Sequence, residues 1–262
     1  MVKKMSKSFH IEVVPTRHTV ENIFENLDKF KEKYNKVIDG GYCACLTDNA
    51  MGNISFQGCE LISELGLDVK PEQLMIHLNT YHSKKELDSI LDTCREMGIN
   101  KLLLVTGDGN ERLQRLEPAD IGEKDSLVTT SVELMRYVKK TYPDISFGCA
   151  FNPYEPLESE LNKMKRKIDA GASFAITQPI LKKNEAVDIL LREFPDFPVT
   201  IGVWMSKRVE KLSLMTGTYV DEPSEYDPVE TLKILQKDYD GCEFYLSGVG
   251  FRKLFSVIQE LF

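Results

Sequence analysis

The feature that most constrains this chain is an alternation that runs from end to end. Short apolar runs rich in strand formers fall at Phe9–Pro15, Tyr42–Asp48, Gln73–Thr80, Lys101–Thr106, Ser146–Asn152, Phe174–Pro179, Pro198–Met205 and Cys242–Ser247. Helical patterns separate them. Val20, Ile23, Phe24, Leu27 and Phe30 recur at helical spacing. Further patterns cover about 59–65, the segment from an N-cap at Ser83 to a stop at Gly98, 128–142, 157–171, 184–194, 207–215 with 228–237, and 251–262. A strand followed by a helix, repeated, requires parallel pairing through right-handed crossovers. Eight such units in 262 residues predict an α/β fold, a single (β/α)8 TIM barrel spanning 1–262. The strands are short and apolar, as in a sheet covered on both faces. No G-x-G-x-x-G follows the first strand, which argues against a dinucleotide-binding open sheet.

Composition narrows the partners. The chain carries 33 Lys+Arg against 41 Asp+Glu, a net charge of −8, which weighs against a nucleic-acid surface. No apolar run reaches the ~18 residues of a membrane span. The basic start MVKKMSKS is not followed by an apolar signal core, so a cytoplasmic protein is expected. The six cysteines include no CxxC pair and read as reduced thiols packed as small hydrophobes. Cys43 and Cys45 share a strand face but by themselves make no zinc knuckle, and no metal site is expected.

In a barrel of this kind, chemistry sits at the C-terminal ends of the strands. Glu12, inside the run IEVV, is the most informative residue there, because a carboxylate among Ile and Val is expensive to bury. It is either half of an interior ion pair or a general acid whose pKa burial has raised. His77 in MIHLNT is a satisfied core histidine or a ligand contact. Asp108 in VTGDG is an Asx-turn residue or a hydrogen-bond partner for a heterocycle. Gln178 in ITQP offers a donor and an acceptor together, which suits a pterin or nicotinamide edge as well as it suits a loop-capping amide. Arg166 and Lys167, in the basic stretch 163–167, form a solvated helix face or place charge near a nucleotide phosphate.

Taken in order, IEVVPTR, LTDNAMG, MIHLNT, LLLVTGD, FNPYEP and KRKIDAGASFAITQP resemble the methylenetetrahydrofolate reductase family over roughly residues 9–205. The resemblance implies a barrel that binds FAD along its top. Hydride then passes from NADH or NADPH to the flavin and on to 5,10-methylenetetrahydrofolate, giving 5-methyltetrahydrofolate. Glu12 matches the family's general acid, which opens the five-membered ring to an iminium. Asp108 matches an aspartate near the flavin and pterin, and Gln178 a glutamine that contacts folate and nicotinamide. Thr47, Ala50, His77, Gly107, Arg166 and Lys167 match positions that contact flavin or nicotinamide. Thr106 stands where some members carry arginine, and Phe151 represents an aromatic near the flavin.

The chain also departs from the family pattern. The loop Gly109–Leu127 is long, Met205 replaces a proline after strand seven, and SGVGF stands where some members have a folate-contacting arginine, with Arg252 a few residues later. These departures keep open a flavin-free tetrahydrofolate-binding methyltransferase, or a methyl-transfer component serving a partner such as a corrinoid protein. They also leave room for a non-catalytic subunit of a true reductase. Association as a homo-oligomer or with a partner subunit fits the apolar C-terminal segment LFSVIQELF.

Overall fold

The computed structural model describes residues 9–216, 219 and 226–261. Residues 1–8, most of the expected loop Thr218–Tyr226, and Phe262 lie outside the described residues. Eight parallel strands close into a barrel in chain order, β1 pairing with both β2 and β8. They are β1 (Phe9–Val13), β2 (Cys43–Leu46), β3 (Leu74–Leu78), β4 (Lys101–Leu104), β5 (Ser146–Phe151), β6 (Ala175–Thr177), β7 (Val199–Trp204) and β8 (Glu243–Ser247). Helices α1 (Ile23–Asp39), α2 (Gly58–Glu64), α3 (Lys84–Glu96), α4 (Ser131–Thr141), α5 (Leu157–Asp169) and α6 (Glu185–Glu193) follow the first six strands. The connection from β7 to β8 carries α7 (Glu210–Thr216) and α8 (Pro228–Asp238), and α9 (Leu254–Leu261) ends the barrel. This is the expected (β/α)8 architecture. No helix among the described residues is long and apolar enough to cross a membrane.

The two-residue period of each strand divides the interior into two cores. Phe9, Ile11 and Val13 point outward into the layer between strands and helices, together with Phe147, Cys149 and Phe151. The inward positions form a smaller cluster of Cys43, Cys45, Met75, Leu103, Ile176 and Tyr245. Two glycines let this interior close. A Cβ on Gly148 would lie 2.2 Å from the Phe174 ring, and one on Gly202 would lie 2.3 Å from the Thr177 carbonyl oxygen.

The N-terminal floor of the barrel is polar. His10 Nε2 lies 2.8 Å from Glu243 Oε2. Burial alone would lower the His10 pKa, but hydrogen bonds to Cys43 and Glu243 outweigh it and push it up to about 9.

Helix boundaries follow the caps. The pattern at 128–142 suggested a helix from Val128, yet α4 begins at Ser131. Thr130 caps it by accepting from Val132 N at 3.3 Å, while the Glu133 carboxylate accepts from Thr130 N at 2.9 Å. That reciprocal cap satisfies the first orphan donors and starts the helix there. Leu127 is left outside it, almost wholly exposed.

Candidate functional site

A cavity of about 600 Å³ opens at the C-terminal ends of the strands. Ten of the sequence-expected residues line it: Glu12, Thr47, Ala50, His77, Thr106, Gly107, Asp108, Arg166, Lys167 and Gln178. The exception is Phe151. Its side chain is fully buried in the outer layer between strands and helices, because β5 presents Gly148, Ala150 and Asn152 to the barrel interior and Phe147, Cys149 and Phe151 to the helices. The expected aromatic contact with a flavin is therefore corrected: Phe151 braces β5 from behind.

Glu12 faces the cavity from β1. Burial pushes its carboxyl above the ordinary range, and hydrogen bonds from the Gly248 backbone, Tyr245 and Ser247 only partly oppose that rise. The Tyr245 hydroxyl donates to Glu12 Oε2 at 3.3 Å and lies 3.4 Å from His77 Nε2. Burial pushes His77 down to about 4, so it is neutral at physiological pH, with the Asp48 charge opposing the shift. The Tyr245 phenol is held well above its usual value, chiefly by burial. Glu12, Tyr245 and His77 thus form a hydrogen-bonded row across the cavity base. The interior ion pair that was the alternative for Glu12 is instead made one layer lower, by His10 and Glu243.

The rim is built by strand-end loops that lock onto one another. Asp48, buried after β2, accepts from Asn79 N at 2.8 Å and pairs with His82 Nε2 at 2.7 Å. Beyond it, Asn49 and Met51 adopt left-handed backbone at φ 45° and 55°, unusual for residues with a Cβ. Asp108 holds this segment: its Oδ2 accepts from Met51 N at 2.9 Å. Asp108 is therefore a turn-stabilising residue and a cavity wall at once. Gly107, at φ 81°, has no alternative, since a Cβ there would lie 2.6 Å from Asn79 Cβ. The Thr106 hydroxyl accepts from Ser131 N at 3.2 Å and fastens the end of β4 to the start of α4. The Gln178 backbone donates to Phe151 O at 2.7 Å, which fixes the segment that aims its side chain at the cavity.

The far wall is basic with an acidic centre. Glu160 accepts from Asn152 N at 3.1 Å and pairs with Lys163 at 3.1 Å and Lys167 at 3.5 Å. Lys167 also donates to Ala150 O at 2.6 Å. Arg166 lies 3.8 Å from Glu133 and is more than half exposed. Beside it, Thr130, Ser131 and Val132 bring the N-terminus of α4 to the cavity. From the sequence, Glu160 carries no signal, Lys163 stands out only as part of the basic stretch 163–167, and Tyr245 only as a polar residue at the end of the eighth strand. Inward parity along β8 (Glu243, Tyr245, Ser247) is the signal that finds Tyr245.

The fold and the cavity define a class: a (β/α)8 barrel with a buried acid facing a large strand-end pocket. The chain belongs to the methylenetetrahydrofolate reductase family, whose model matches residues 1–194. Among curated relatives, it is 25% identical over 193 residues to methylenetetrahydrofolate reductase (NADH) 1 of Arabidopsis thaliana, covering 65% of this chain and 30% of that protein. It is 22% identical over 236 residues to the probable methylenetetrahydrofolate reductase (NADPH) of Caenorhabditis elegans, covering 81% and 33%. The chain thus spans about a third of the length of these relatives. Its fold matches that of an uncharacterized protein from Clostridium thermocellum that binds two copies of 5-methyl-5,6,7,8-tetrahydrofolic acid. The TM-score is 0.66 at 12% identity, over 98% of this chain and 96% of the other.

Proposed function

We propose that the cavity binds a reduced folate, and that the chain reduces 5,10-methylenetetrahydrofolate to 5-methyltetrahydrofolate with NADH or NADPH through FAD. The observation that carries this reading is Glu12, a carboxyl that burial shifts toward its protonated form at the base of a 600 Å³ cavity. A protonated carboxyl there donates to the amine nitrogen that leaves as the five-membered ring opens, and Tyr245 holds it in position. The iminium so formed is cationic, and Asp108 at the rim lowers its energy electrostatically. Gln178 supplies a donor and an acceptor for the pterin edge.

The residues present also fit FAD. The N-terminus of α4, with Arg166 and Lys163 on the same wall, is suited to a pyrophosphate, and Leu103 and Ile176 offer an apolar surface to a ring system. Bound FAD supplies the hydride acceptor and donor that links the nicotinamide to the folate.

One observation favours a second reading, a flavin-free tetrahydrofolate-binding methyl-transfer component. Lys167, matched by resemblance to a cofactor contact, is committed to Ala150 O and Glu160, which places a buried carboxylate in the wall a pyrophosphate would use.

The visible absorption spectrum, taken before and after FAD addition and desalting, separates the two readings. The expected result is retained flavin bands that NADH or NADPH bleaches without oxygen and methylenetetrahydrofolate restores. A colourless protein that releases FAD yet binds 5-methyltetrahydrofolate establishes the second reading, and one that binds neither refutes both.

A further inference from the structure

At the barrel floor, on the layer below the folate cavity, three side chains converge that the proposed reduction does not use. Cys43 and Cys45 project inward from β2, and His10 projects inward from β1, its residue paired in register with Cys43. Their ligand atoms all lie within 4.8 Å of one another, and all three residues are buried. The sequence reading counted only the two thiols. The third group comes from a different strand, so no local spacing revealed it.

The histidine is oriented for coordination. Its Nε2 is held by Glu243 Oε2 at 2.8 Å, which turns Nδ1 toward the thiols, 3.9 Å from Cys45 Sγ. A carboxylate on the remote imidazole nitrogen is the usual support of a metal-bound histidine, since it fixes the tautomer and raises ligand basicity. Two thiolates and an imidazole are a borderline-soft donor set, and two thiolates neutralise a divalent ion in a buried place. Zinc–ligand bonds of about 2.0–2.3 Å give tetrahedral edges of roughly 3.5–3.8 Å, so the cluster closes around an ion with about an ångström of side-chain movement. Glu243 is half exposed at the N-terminal mouth and gives an ion its route in. A packed trio of small hydrophobes needs neither the histidine nor the oriented carboxylate.

We propose that His10 Nδ1, Cys43 Sγ and Cys45 Sγ form a zinc(II) site, with Glu243 as the carboxylate that positions the histidine. The ion ties β1 to β2 on the face of the barrel opposite the folate cavity. Three protein ligands leave a fourth position for solvent. An ion bound only by the folded chain stabilises it by mass action.

The test uses the whole chain, purified under reducing conditions and stripped with a chelator. It is titrated with zinc(II) against a chromophoric competitor, and with cobalt(II) followed by absorption. The expected result is one equivalent of metal, thiolate-to-cobalt charge-transfer bands with the intense visible bands of a tetrahedral ion, and a higher Tm with zinc. Cys43→Ser and Cys45→Ser are expected to abolish the charge-transfer bands, while Cys242→Ser leaves them. Because a serine in the floor can itself unfold the barrel, Glu243→Gln is the second variant. It removes no ligand and is expected to weaken zinc about 10–100-fold. The proposal is overturned by no saturable uptake in folded wild type, or by uptake without charge-transfer bands. Uptake that survives both cysteine variants, or an affinity that Glu243→Gln leaves unchanged, also overturns it.

Discussion

At the scale of single residues, position raises the pKa of an ordinary carboxylic acid. Glu12 stands on the same strand face as His10, but the two have opposite environments. His10 has a half-exposed carboxylate to pair with, whereas Glu12 is met by neutral hydroxyls and a neutral histidine. Its raised pKa has a consequence for stability. The folded chain keeps a proton that the unfolded chain releases, so stability is full below the unfolded glutamate pKa and is lost as pH rises through the folded one. Glu12→Gln removes this loss. Its Tm is expected to exceed that of wild type at pH 8, with the gap closing toward pH 4. Thermal unfolding across that range checks this, and a gap that widens on acidification contradicts it. Glu12 was legible because four consecutive letters, IEVV, already place a charge in a core strand. Tyr245 and His77 were visible as strand-end polar residues, but their meeting across the barrel depends on closure, which no single segment encodes.

At the scale of elements, the strands were legible and their mutual contacts were not. Periodicity marks each run as a strand and each intervening segment as a helix, but it leaves open which face of a strand looks inward. Phe151 shows the effect: one step along β5 moves a side chain from the cavity to the helix layer. The same parity hid the His10–Cys43–Cys45 cluster, which depends on the register of β1 against β2. β6 and β7 approach closely where Gly202 N donates to the Thr177 hydroxyl at 2.8 Å. Gly202→Ala would drive a methyl against the Thr177 carbonyl, which is backbone and cannot swing aside. The expected loss is about 2–3 kcal/mol or more, read as a lower midpoint in urea at an unchanged m-value. A midpoint equal to that of wild type would mean that β6 and β7 are not packed this closely.

At the scale of the whole molecule, the barrel separates two kinds of polar chemistry. The strand C-termini carry the acid, amide and cation walls of the cavity, and the N-terminal floor carries the thiols, His10 and Glu243. Eight strand–helix units announced the barrel, and the barrel in turn announced which ends to search. Residue order alone could not say that Lys167 is neutralised from within, because Glu160 approaches it across seven residues of α5 while also capping Asn152 N. The central claim is that Glu12 protonates a reduced folate in this cavity, and conversion of 5,10-methylenetetrahydrofolate to 5-methyltetrahydrofolate tests it most directly. The measurement is single-turnover product formation, with FAD and NADH or NADPH supplied, in wild type and Glu12→Gln. The account expects product from wild type and a rate about 10²–10⁴-fold lower in the variant, with 5-methyltetrahydrofolate still bound. An equal rate in the two proteins would contradict it.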